Sequence, residues 1–240
     1  MPPSRSSPLF ERAEKLKLFV DGKKVIGFRW NHPQPKRFLI LHGLHSNAKN
    51  FERYVLPMVK KGYEVMAFDA PAHGDSEGKQ TTVLQYRETI REICRLYGPV
   101  HAFLSHSFGA LALSLALEEL PHSEETRAAL IAPATETSTA VDYYFRFLDL
   151  DQQIRPEFEN LVLNTGGNPL SWYSIARAVK NLKASILWIH DEDDDVTPLS
   201  DVVPIINHQY PNIRFMITKG LGHRRIYRDR LVQNAISDFF

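Results

Sequence analysis

Three stretches of the chain hold residues that could do covalent chemistry together. The first is Leu104-Ser105-His106-Ser107-Phe108-Gly109, where one apolar run ends and another begins. The second is the acidic run Asp191-Glu192-Asp193-Asp194-Asp195, which closes on Thr197-Pro198, and the third is Gly220-Leu221-Gly222-His223. A serine hydroxyl attacks a carbonyl only when a neighbouring base removes its proton and a third group orients that base. Serine, carboxylate and histidine supply those three roles, so the chemistry they would perform is nucleophilic acyl transfer from Ser107. Each stretch also has an ordinary explanation taken singly. Serine caps helices, acidic turns are solvated, and a histidine after glycine often sits at the surface.

The elements around these stretches decide whether they can meet. Runs at 38–41, 63–68, 100–104, 128–132, 185–189 and 213–218 are largely apolar instead of alternating, which suits parallel strands covered on both faces by crossover helices. Ser107 follows the third run, the acidic turn the fifth and His223 the sixth, so all three fall beyond strand ends. Before them, 16–20 and 25–30 flank Asp21-Gly22, a hairpin signal for an antiparallel pair. Residues 82–97 repeat Val83, Tyr86, Ile90 and Ile93 at a helical period and stop at Gly98-Pro99, while 108–120 is apolar nearly all round, as a central buried helix would be.

The stretch 135–182 is too long for a plain crossover and is rich in aromatics. It is expected to form a small helical cap over the C-terminal edge of the sheet, with Tyr144 and Trp172 as candidates for lining a substrate pocket. Residues 1–12 are expected to be a flexible tail, and 13–240 a single α/β domain.

The chain resembles the α/β-hydrolase superfamily from about residue 16 to 240. The likeness rests on His42-Gly43 after the first parallel strand, Asp69-Ala70-Pro71-Ala72-His73-Gly74-Asp75-Ser76 after the second, the serine elbow, the acidic turn and Gly222-His223. It implies a mostly parallel sheet with helices on both faces and a strand-turn-helix elbow presenting the serine. The usual elbow is G-x-S-x-G; Ser105 stands in place of the first glycine and is small enough to be accommodated. The family order is serine, acid, histidine. Its acidic turn often reads glycine, two residues, the aspartate, three residues, proline, and counting back from Pro198 selects Asp194, with Asp193 and Asp195 as rivals and Glu136 as the acid of a less frequent arrangement.

The resemblance further implies oxyanion-hole amides at Phe108 and Leu44. His45 and His106 would touch substrate or line the loop. His73-Gly74-Asp75-Ser76 would be a structural turn. The implied activity is hydrolysis of a small ester-like substrate, a carboxylic ester or thioester, through an acyl-enzyme on Ser107, His223 and Asp194. An acyltransferase with the same triad and a non-catalytic ligand-binding scaffold are the alternatives.

Composition narrows the partners. Twenty-nine basic and 28 acidic residues leave a formal net charge of +1, which gives no general attraction for nucleic acid or an anionic membrane. The expected partner is a small-molecule acyl substrate. Cys94 is the one cysteine, so no intrachain disulfide can form, and with no apolar run of membrane-spanning length the expected location is the cytoplasm. No cofactor is expected. Gly78-Lys79 is followed by Gln80 instead of Ser or Thr, no G-x-G-x-x-G occurs, and the alternating Asp191, Asp193 and Asp195 fail the calcium-loop pattern because Val196 and Val202 hold its sixth and twelfth positions.

Overall fold

The apolar runs become strands of one eight-stranded sheet. A computed structural model describes residues 7–240. The strands are β1 Glu14–Val20, β2 Lys23–Trp30, β3 Lys36–Leu41, β4 Tyr63–Phe68, β5 Ala102–His106, β6 Arg127–Ile131, β7 Ser185–Asp191 and β8 Ile213–Thr218. They lie in the order β1-β2-β4-β3-β5-β6-β7-β8. The hairpin turning at Asp21-Gly22 pairs β1 with β2 antiparallel, β2 joins β4 antiparallel, and every later pairing is parallel.

Among the described residues ten α-helices surround the sheet: α1 Pro8–Glu11, α2 Glu52–Lys60, α3 Val83–Tyr97, α4 Phe108–Leu117, α5 Thr137–Phe147, α6 Arg155–Gly166, α7 Ile175–Ala178, α8 Val203–His208, α9 Gly222–Arg225 and α10 Arg230–Phe239. Helix α3 begins where the Thr82 hydroxyl accepts the Gln85 N–H at 3.2 Å. Helix α4 is buried from Gly109 to Leu117, as its all-round apolarity requires. It ends three residues before the expected 120, where the Glu119 and Leu120 amides both turn back to the Ala116 carbonyl.

Each sheet face has its own core. Leu39, Phe68, Ile90, Leu113 and Trp188 pack on the face under α3 and α4. Phe38, Phe51, Met58, Ile189 and Ile236 pack on the face under α2 and α10. Burying each of the larger side chains contributes about 1.5–3 kcal/mol. This double cover is why the central strands read as continuous apolar runs. Between β6 and β7 the excursion 135–182 holds α5, α6 and α7 with short 3-10 turns. Among the described residues no helix is long and apolar enough to cross a membrane.

The expected tail 1–12 needs correction. Residues 1–6 lie outside the described residues, but Pro8–Glu11 are helical and Phe10 is buried. Its ring meets those of Phe28 and Trp30, each at 4.9 Å, and Trp30 Nε1–H donates to the Leu9 carbonyl at 3.0 Å. A single apolar pair, Leu9-Phe10, has no periodicity to betray it, so only the slot on β2 reveals its place in the core.

Candidate active site

Ser107 sits between β5 and α4 at φ 53° and ψ −121°, a left-handed conformation that is strained for a residue with a side chain, costing about 1–3 kcal/mol. Close packing holds it there. The Ser107 N–H donates to Ile131 O at 3.0 Å, and its carbonyl accepts from Ala110 and Ala134. A Cβ on Gly109 would lie 2.4 Å from the His42 carbonyl, and one on Gly43 would lie 2.9 Å from Ser107 Cβ, so both positions need glycine for the loops to approach. Ser105 is wholly buried with its Oγ 3.4 Å from Ala129 O, which shows why a hydroxymethyl group fits where the family has glycine.

From β7 and β8 come the remaining two groups. The Ser107 hydroxyl lies 3.0 Å from His223 Nε2, and His223 Nδ1–H donates to Asp194 Oδ2 at 2.9 Å. Burial pushes the Asp194 carboxyl up, but the hydrogen bond and charge of His223, with the Thr197 amide and hydroxyl, outweigh it and hold the group below its ordinary value. Asp194 Oδ1 accepts the Val196 and Thr197 amides at 2.9 and 2.8 Å.

The rival acids are elsewhere. Asp193 accepts the Gly220 amide at 3.0 Å and is exposed, as is Asp195. Glu136 accepts the Ser174 hydroxyl at 2.8 Å, and burial raises its carboxyl against that bond. Asp191, at the glycine position of the family pattern, accepts the Thr218 hydroxyl and the Leu221 and Gly222 amides, so it ties the turn after β7 to the loop that presents His223.

The other expected residues divide. Phe108 opens α4, so its N–H has no acceptor within the helix, and its ring packs 6.0 Å from that of Tyr86. The Leu44 amide likewise has no hydrogen-bond acceptor among the described residues. His45, exposed at φ 56°, donates its N–H to His73 Nε2 at 3.3 Å. His106 faces inward. It is buried, 4.9 Å ring to ring from both His223 and Tyr227, and its Nε2–H donates to the His223 carbonyl at 3.1 Å, while burial pulls it down to about 3. The Arg177 guanidinium stacks on the partly buried Trp172 at 4.0 Å, and Tyr173 lies edge-on to it at 5.2 Å. Tyr144 is exposed on α5, edge-on to Tyr143.

His42, His190 and Thr197 were not singled out for a role by sequence. His42 Nδ1–H donates to Gly43 O at 2.7 Å while Nε2 accepts the Ala70 N–H at 2.9 Å, and burial keeps the ring neutral by pulling it down to about 4. It thereby locks the loop bearing Leu44 to the end of β4. The turn after β4 is structural: Asp69 accepts the Ala48 and Asp75 amides, and Ser76 donates to Asp69 O. Thr197 donates its amide and hydroxyl to Asp194, His190 Nε2–H donates to the Thr197 carbonyl at 2.6 Å, and the sequence signal for both is their nearness to Asp194.

Residues 33–184 match the family model described as serine aminopeptidase, S33. The chain belongs to this family of α/β hydrolases. It is 27% identical over 222 residues to putative esterase/lipase 2 of Mycoplasma genitalium, covering 78% of this chain and 81% of that protein. It is 28% identical over 105 residues to the uncharacterized hydrolase YugF of Bacillus subtilis, covering 42% of this chain and 38% of that one. A human serine hydrolase-like protein is 30% identical over 102 residues, and there the chain spans half of the relative's length. The fold matches an esterase of Pyrococcus furiosus at a TM-score of 0.70 with 21% identity, covering 95% of this chain and 91% of that one. Mouse alpha/beta hydrolase domain-containing protein 10 matches at 0.68 with 17% identity, covering 94% and 96%.

Proposed function

We propose that this α/β hydrolase cleaves a small ester-like substrate, a carboxylic ester or thioester, through an acyl-enzyme. The observation that carries the reading is the continuous hydrogen-bonded line from Ser107 Oγ through His223 to Asp194, at 3.0 and 2.9 Å, starting from a strained elbow. His223 Nε2 takes the serine proton as Oγ attacks the carbonyl carbon, and Asp194 steadies the imidazolium through Nδ1–H. The Phe108 and Leu44 amides receive the oxyanion, water replaces the leaving group, and His223 returns its proton at each collapse. Esterase names among the relatives agree with the ester reading.

The test is hydrolysis of p-nitrophenyl butyrate alongside labelling by a fluorophosphonate probe. Ser107→Ala is expected to abolish labelling and lower kcat by about a thousandfold or more. A Ser107→Ala protein that hydrolyses the ester at the parent's rate refutes the proposal.

A further inference from the structure

The turn that carries the acid holds a second hydroxyl against the base. Thr197 is buried, and its Oγ1 lies 2.9 Å from Asp194 Oδ2, 3.1 Å from His223 Nδ1 and 3.4 Å from the Ala132 carbonyl. A hydroxyl has one proton to give, and the charged carboxylate at the shorter distance is the better acceptor. That leaves an oxygen lone pair facing the His223 Nδ1–H, so this N–H is shared between Asp194 Oδ2 and Thr197 Oγ1.

The hydroxyl is held where it is from both sides. Thr197 N–H donates to Asp194 Oδ1 at 2.8 Å, and the Thr197 carbonyl accepts His190 Nε2–H at 2.6 Å. Pro198 confines the preceding residue to extended backbone, and the β-branch of threonine leaves it few side-chain rotamers.

We propose that Thr197 is a positioning residue of this site, whose hydroxyl binds the Asp194 carboxylate and offers His223 Nδ1–H a second acceptor when the imidazole takes up a proton. The inference rests on the reading of Ser107, His223 and Asp194 as nucleophile, base and acid. Loss of the oxygen takes an acceptor from the imidazolium, which disfavours the protonated ring and moves the acid limb of activity to lower pH. The titratable groups packed around His223 are Asp194 and His190 from the β7 side and His106 from β5. Burial lowers both neighbouring histidines, His106 to about 3, and the hydrogen bonds and charge around Asp194 hold its carboxyl below its ordinary value.

The experiment is the pH profile of kcat/KM for p-nitrophenyl butyrate, with the rate of fluorophosphonate labelling, for the parent and for Thr197→Val, Thr197→Ala and Thr197→Ser. Both variants lacking the hydroxyl are expected to lose about fivefold to twentyfold in kcat/KM and to shift the acid limb down by roughly half a unit. Thr197→Ser is expected to stay within about twofold of the parent with its limb in place, since it keeps the oxygen. A limb that does not move down in Thr197→Val and Thr197→Ala, or a Thr197→Ser protein as impaired as they are, overturns the role of Thr197 while an active, labelled parent leaves the triad reading standing. A parent that neither hydrolyses the ester nor takes the label overturns both.

Discussion

Five carboxylates lie between Asp191 and Asp195, and hydrogen bonds separate their roles. Asp194 is buried with both oxygens occupied, one by the Val196 and Thr197 amides and the other by His223 and the Thr197 hydroxyl. Asp193 is exposed and braces the Gly220 amide. Replacing Asp194 by asparagine keeps the shape but removes the charge and favours the wrong imidazole tautomer, so kcat/KM is expected to fall by about ten-thousandfold. Asp193→Asn keeps an acceptor for Gly220 and is expected to stay within about threefold. Ester hydrolysis by the two purified variants checks the pair, and the opposite ranking would move the acid to Asp193. Ser107 and His223 were legible because glycines and strand ends frame them. Thr197 was not, because a threonine beside a proline carries no mark of the imidazole it faces.

At the scale of elements, the apolar runs stop at Leu104 and Ile189, yet β5 continues through Ser105 and His106 and β7 through His190 and Asp191. The last residues of these strands are polar and reach distant partners: His106 Nε2–H donates to the His223 carbonyl, and Asp191 accepts the amides of Leu221 and Gly222. A hydrophobic pattern therefore ends a strand early where function begins. The turn after β4 makes a related point. Gly74 has φ +53°, and a Cβ there would stand 2.1 Å from Asp69 Oδ2, the carboxylate that holds the Ala48 and Asp75 amides. Gly74→Ala is expected to cost about 2–4 kcal/mol, read as a lower urea midpoint, by displacing Asp69 and leaving those amides unpaired. A stability within experimental error of the parent would show that the turn relaxes without cost.

Across the whole molecule, helix α1 belongs to the core. Phe10 is 4% exposed between Phe28 and Trp30, so Phe10→Ala is expected to cost about 3 kcal/mol, as large aromatic truncations in cores do. For a chain of this size that lowers Tm by roughly 6–12 °C. Thermal unfolding of the variant decides between this and the dispensable tail that composition suggests, for which Tm would hardly move.

Local patterning by itself determined the run of strands, helices α3 and α4, the opening hairpin and the placing of Ser107, the acidic turn and His223 beyond strand ends, because each is written in residues a few positions apart. Tertiary structure alone decided the separate hydrogen-bond partners of Asp191, Asp193 and Asp194, the neutral tautomer of His42, the inward place of His106 and the contact of Thr197 with His223. Those outcomes depend on hydrogen bonds and burial between segments as much as 117 residues apart, where the partner of a side chain is set by how strands stack and not by its neighbours along the chain.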